Sequence, residues 1–255
     1  MTPAFTILNP NSATPLVLTC EHASCTVPEE YDALGLDDAD LHEHIGWDIG
    51  ARVTTEALAQ RFTATAVLAG VSRLVIDCNR DLDDHDLIVS ESHGVRIPGN
   101  AAVDGVERAR RIHDFYEPYH AAIDAVLQSR PGALLLSIHS FTPSLNGRER
   151  RFDAGVLFDA FADEAQQLGA ALSAEGLRVR YNEPYSGLDG LIFSARNHGM
   201  QHRLPYLEIE LNNGLLRQPA DADRVAAAVG RALAGCAQRP FGGTARRWLA
   251  GSSFE

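Results

Sequence analysis

Short apolar runs alternate with stretches of helical periodicity along most of the chain. Leu16-Val17-Leu18-Thr19-Cys20 reads as a short buried strand, followed by a loop containing Pro28. Asp37 or Asp38 caps a predicted helix reaching about Arg61, with Leu41, Ile45, Ile49 and Val53 at four-residue steps. Residues 66–68 and 73–78 are predicted strands, and residues 81–100 an acidic loop of a length more often found in functional segments. A second long helix is expected over residues 105–128, broken by Pro131-Gly132 before the strongest strand signal, residues 133–138. Further strands are expected at 154–158, 177–181 and 206–211, with helices at 160–174 and 220–236.

Strands separated by helices predict an α/β fold, a three-layer α/β/α sandwich around a mixed, largely parallel sheet. No repeat, low-complexity tract or linker interrupts the pattern, so one domain spanning residues 1–255 is expected. The 22 basic residues are all arginine and face 34 acidic ones, a net charge of -12 that argues against nucleic-acid and membrane-surface partners. Cys20, Cys25, Cys78 and Cys236 show neither a disulfide frame nor zinc-cluster spacing. The start, MTPAFTILNP, lacks the basic and apolar regions of a signal peptide, so a cytoplasmic location is expected.

Candidate chemistry gathers at the carboxyl ends of the predicted strands, where open α/β sheets place their sites. The first strand runs into Glu21-His22, the third into Asp77-Cys78-Asn79-Arg80, and the central one into His139-Ser140. Two histidines and a carboxylate on separate elements are what a catalytic zinc needs when it keeps one position open. His44 and Asp48 stand four apart on the predicted helix; a carboxylate beside Trp47 and Ile49 is costly unless paired or metal-bound. Glu208 and Glu210 alternate with Leu207, Ile209 and Leu211, so both point to one side of their strand, and one suits a general base. Arg80 is placed to grip a substrate carboxylate; Arg73 fits that role or a structural one equally. No G-x-S-x-G elbow, G-x-G-x-x-G turn or P-loop is present, which removes serine-hydrolase and nucleotide readings.

Several segments resemble the N-formylglutamate amidohydrolase family in its broad bacterial branch: CEHASCTVPEEY (20–31), HIGWDIGA (44–51), SRLVIDCNRDLDD (72–84), RIPGN (96–100), FYEPYH (115–120), HSFTPSLNG (139–147), NEPYS (182–186) and LEIELNNGLL (207–216). The resemblance implies a fold of the zinc-exopeptidase and amidase type, one Zn2+ ion per chain, and hydrolysis of a small anionic N-acyl amino acid. N-formyl-L-glutamate, cleaved to formate and glutamate in histidine degradation, leads the candidates. It further implies His22, Asp48 and His139 as metal ligands and Glu210 as the carboxylate that handles the water proton, with Glu21, His44, Glu208 and His198 in reserve. An anionic substrate on so acidic a protein requires a locally positive mouth, for which Arg73, Arg80 and Arg148 are expected, with Asn79 as a further substrate-binding residue. Two departures bear on the substrate. Asn212 and Gly214 stand where the family tends toward an arginine and an aspartate, and Ala23-Ser24 where glycines are usual. They keep open a zinc amidase for another acyl group or a peptidoglycan fragment, and a non-catalytic carboxylate-binding relative.

Overall fold

The structure, a computed structural model, describes residues 2–145 and 147–237. Asn146 of the HSFTPSLNG segment and residues 238–255 of the expected domain lie outside the described residues. The chain opens on β1 (Phe5–Leu8) and β2 (Leu16–Cys20), then passes through α1 (Asp38–His42) and α2 (Ala51–Phe62) to β3 (Thr65–Ala69). A small hairpin, β4 (Glu91–Ser92) and β5 (Val95–Arg96), precedes a long helix. In it α3 (Gly105–Arg111) continues through a π-helical turn at Ile112–Tyr116 into α4 (Glu117–Gln128). Next come β6 (Leu134–Phe141), a second hairpin of β7 (Ser144–Leu145) and β8 (Arg148–Glu149), and β9 (Ala154–Leu157). The order ends with α5 (Ala162–Ala174), β10 (Val179–Tyr181), α6 (Phe193–His202), β11 (Tyr206–Asn212) and α7 (Pro219–Ala237).

Seven of these strands form one sheet in the order β1-β3-β2-β6-β11-β9-β10. The central four, β3, β2, β6 and β11, run parallel; β1 and the β9–β10 pair run against them. The sheet is therefore mixed and mostly parallel, with helices on both faces. One face buries Leu16, Leu18, Leu134, Leu136, Ile138, Leu207 and Ile209 with Leu58 of α2, Leu168 of α5 and Val229 of α7. The opposite face buries Val17, Leu135 and Tyr206 with Tyr119 and Ile123 of α4 and Ala195 of α6.

On this second face the character of the side chains changes along the strands. The register sets Val17 beside Leu135 and Leu135 beside Tyr206 near the amino ends; nearer the carboxyl ends it sets Ser137 beside Glu208 and His139 beside Glu210. The chain leaves β2 for β3 on one side and later crosses back to β6 on the other. The carboxyl ends of β2 and β6 thus flank the crevice where the strand order reverses, the usual place for a ligand in open α/β sheets.

Two expected elements are corrected. Residues 73–78 form no strand: Leu74, Val75 and Ile76 are buried, but Asn100 takes the Leu74 carbonyl at 2.8 Å and Arg111 the Val75 carbonyl at 3.0 Å. Side chains satisfy the polar backbone here, so the apolar run is a buried loop. The helix expected from 37 to 61 is two helices separated by a turn, and Val53 is exposed instead of continuing an apolar stripe. Glycine breaks it: a Cβ on Gly46 would sit 2.5 Å from the Leu41 carbonyl oxygen, and Gly50 enters α2 with φ of 82°. The expected helical His44–Asp48 pair therefore lies in a loop. β1, which the pattern does not predict, is an edge strand bonded to β3.

Candidate metal centre and active site

Three donor atoms converge at the switch point. His22 follows β2, His139 lies in β6, and Asp48 reaches in from the turn before α2, where its N–H donates to the His22 carbonyl at 3.0 Å. His139 Nδ1 stands 3.2 Å from His22 Nδ1 and 2.9 Å from Asp48 Oδ2, and His22 Nδ1 stands 3.5 Å from the same oxygen. The outer nitrogen of each ring is engaged by a carboxylate: His22 Nε2 with Asp77 Oδ1 at 2.8 Å, His139 Nε2 with Glu21 Oε2 at 2.9 Å. Donation from Nε2 leaves a lone pair on each Nδ1, so three lone-pair donors face one another in a buried site. A tetrahedral ion with ligands at about 2.0–2.2 Å spaces its donors by about 3.4 Å, so the triangle fits such an ion.

The surrounding charge favours a cation. Glu21 accepts further hydrogen bonds from Tyr119 Oη at 3.0 Å and Ser137 Oγ at 2.5 Å. Burial would raise its pKa, but the hydrogen bonds from His139 and Ser137 hold it well below the carboxylate range. Burial likewise opposes ionisation of Asp77, but His22 and Arg73 keep it charged. Around His139, the negative charges of Glu208, Asp48 and Glu21 outweigh burial and raise its pKa well above the usual range; the site attracts positive charge.

Glu208 and Glu210 both face this centre, as their alternation predicts, and with His139 they offer atoms within 4.8 Å of one another. Their surroundings differ. Glu208 Oε2 receives the Asn79 amide at 3.4 Å and lies 3.5 Å from His139 Nε2. Glu210 Oε2 has no hydrogen-bond partner among the described residues and borders the cavity, and burial together with Asp48 raises its pKa well above the ordinary range. A carboxyl with a raised pKa and a free oxygen has the properties of a general base.

The cavity above the centre has a volume of about 170 Å³, below the roughly 300–1,000 Å³ of drug-sized sites. Arg73, Asn79 and Arg80 line it, as do His44 and His93. Arg73 Nη2 donates to Asp77 Oδ2 at 2.8 Å, with Nη1 3.7 Å from Asp48 Oδ1. Asn79 is a clamp: its N–H donates to Asp77, and its Oδ1 accepts the Ser194 N–H at 2.9 Å. His44 Nδ1 lies 3.7 Å from Asp48 Oδ1. His198 stays outside the cavity, bonded to His120 and Asp124 at 2.8 Å each.

Arg148 is the expected residue that the structure does not bring in. It is exposed on β8 and lines a neighbouring groove, because the hairpin tip carries it away from the sheet. Two residues nearer the sheet, Arg150 stacks over Tyr185, which lines the cavity. Sequence reasoning missed both residues, although Tyr185 lies in the NEPYS segment. Tyr185 owes its place to Gly155 in β9, where a Cβ would sit 2.0 Å from the Glu183 carbonyl oxygen; only glycine lets the 183–185 segment lie this close.

The structure is thus a three-layer α/β/α protein with a candidate metal centre at the switch point of its sheet. The chain belongs to the N-formylglutamate amidohydrolase family, which it matches over residues 14–217. Among solved structures it is similar to gene product Atu2144 from Agrobacterium tumefaciens. They share 33% identity at a TM-score of 0.86, over 91% of this chain and 96% of that one. It shares its fold with the N-formylglutamate amidohydrolase from Ralstonia eutropha JMP134, at 21% identity and a TM-score of 0.67, over 92% and 98% of the two chains. No curated protein matches the sequence. No helix among the described residues is long and apolar enough to cross a membrane.

Proposed function

We propose that the protein is a metal-dependent amidohydrolase for small anionic N-acyl amino acids, with N-formyl-L-glutamate the leading substrate. The observation that carries this reading is the meeting of two Nε2-locked imidazoles and Asp48 beside the unpartnered Glu210 oxygen. His22, Asp48 and His139 would hold the ion. When bound, a divalent ion such as zinc polarises the acyl oxygen and lowers the pKa of water toward neutrality. Asp77 and Glu21 keep the imidazoles in the liganding tautomer. Glu210 takes a proton from the attacking water and passes it to the leaving amine nitrogen as the carbon–nitrogen bond breaks, giving formate and glutamate. Arg80 and the cavity wall hold the carboxylate end.

Purified protein should contain stoichiometric divalent metal and release formate from N-formyl-L-glutamate, with loss on chelation and recovery on adding zinc. Glu210→Gln should keep the metal and lower kcat by roughly 10²–10⁴-fold, the share of one general base. Full activity in metal-free protein, or in His139→Ala, would refute the mechanism. A panel of N-formyl, N-acetyl and N-succinyl amino acids sets the acyl preference.

A further inference from the structure

Arg73 and Arg80 line the cavity, Arg150 lies against the lining residue Tyr185, and their partners differ. Arg73 is engaged by Asp77 and lies near Asp48 inside the centre. Arg80 donates to the Asn79 carbonyl at 3.1 Å, and its Nε lies 3.8 Å from Asp84. Arg150 makes no ion pair among the described residues; its guanidinium engages the Tyr185 side chain through a hydrogen bond and reaches Thr142 from Nη1, 3.3 Å to the carbonyl and 3.4 Å to the hydroxyl.

What fixes Arg150 is aromatic. Its guanidinium carbon lies 5.3 Å from the centre of the Tyr185 ring and 5.7 Å from that of Phe141. Contact with two rings immobilises a guanidinium while leaving part of its fork of N–H donors open, which pre-organises it for a bidentate carboxylate. Tyr185 borders the cavity, and Arg150 lines a groove together with Glu183 and Pro184, the two residues before Tyr185. The charge is felt on the cavity wall: His93, on the β4–β5 hairpin, has its pKa lowered by burial and then by Arg73 and Arg150. A half-buried guanidinium with no carboxylate partner among the described residues keeps its capacity to take one.

We propose that Arg150, braced on Tyr185, is the specificity-determining residue that reads the substrate carboxylate remote from the scissile amide. The inference rests on the amidohydrolase reading for the identity of the substrate, but not for the anion contact. Arg150 touches the end of the ligand that does not react. Its loss therefore weakens binding more than turnover.

The test uses the metal-loaded protein as wild type, Arg150→Gln and Arg150→Lys. Calorimetry reads binding of L-glutamate and L-glutamine, and formate release reads kcat and KM for their N-formyl derivatives. Wild type should favour the anionic member of each pair. Arg150→Gln should lose about 10- to 100-fold of that preference, mostly in KM. Arg150→Lys keeps the charge without the fork, should recover part of it, and serves if the glutamine variant folds poorly. Arg148→Gln removes an equal charge from the neighbouring groove and should shift the preference by less than about fivefold, the ceiling for an exposed charge. An unchanged preference in Arg150→Gln, no preference in wild type, or equal effects at 148 and 150 overturns the assignment. If wild type binds glutamate through Arg150 but cleaves neither formyl amide, the amidohydrolase reading fails and this one stands.

Discussion

Replacing Asp77 by asparagine tests whether the outer carboxylates set the state of the imidazoles. Asp77 accepts three donors at 2.8 Å: His22 Nε2, Arg73 Nη2 and the Asn79 N–H. Asparagine has one side-chain oxygen to offer and brings an NH2 group that donates. If the amide faces His22, Nε2 must accept and the proton moves to Nδ1, the atom that points into the donor triangle. One of three lone pairs is then lost and the Asn79 N–H loses its acceptor, while the remaining oxygen still faces Arg73. Removing such an orienting partner typically costs 10–100-fold in metal affinity, about 1.4–2.8 kcal/mol. Competition with a chromogenic chelator measures the affinity, and circular dichroism of the metal-free form shows whether folding has changed separately. Glu21→Gln should act alike through His139, since Glu21 stands in the same relation to that ring. If Asp77→Asn binds metal within about twofold of wild type, the carboxylates do not set the ligand tautomers and the reasoning fails.

Two further predictions concern stability. Burial and His198 lower the His120 pKa to about 3, against 6.5 for the unfolded side chain. The unfolded chain therefore binds more protons between these values, and stability falls as pH drops through that window, by about 1.5 kcal/mol from pH 6.5 to pH 5 for one group. Denaturant titrations should show this slope in wild type and its loss in His120→Gln; equal slopes would count against it. In Gly155→Ala the new Cβ meets the Glu183 carbonyl oxygen, an overlap that should cost about 1–3 kcal/mol and lower Tm by roughly 2–12 °C. Because the displaced segment carries Tyr185, KM should rise as well; an unchanged Tm and KM would show that the segment is not pinned there.

The strand ends were the most legible part of the sequence. A polar residue just past an apolar run must be satisfied by something, and several such residues on neighbouring strands can share one partner. That reasoning brings His22, His139 and Glu210 to one place, and the period-two alternation orients both Glu208 and Glu210. It fails where the deciding contact is distant. Residues 74–76 read as a strand because burial and strand formation leave the same mark on a short apolar run. The bonds from Asn100 and Arg111 that make it a loop come from 26 and 36 residues away. The places of Arg148 and Arg150 have the same character, since they depend on where a hairpin ends and on which ring a glycine 30 residues before Tyr185 admits.

The arrangement of charge in the site reconciles an acidic protein with the anionic substrate proposed above. The floor is rich in carboxyl groups: Glu21, Asp48 and Asp77, which stay ionised, and Glu208 and Glu210, whose pKa values burial raises, are all buried around two imidazoles, with Arg73 reaching in against them. Such a concentration of carboxylates in a low-dielectric interior is tolerable only if positive charge joins it, and the donor triangle is where that charge fits. The wall carries the opposite sign in Arg80 and, behind Tyr185, Arg150. A neutral acyl amide and an anionic tail therefore meet different surroundings within one small cavity. The tail is repelled from the floor unless a cation covers it and is attracted to the wall in either case. For the substrate proposed above, this polarity would set the direction in which it lies: the reacting bond over Glu210, the carboxylate outward. Net charge, which averages over both regions, reports neither.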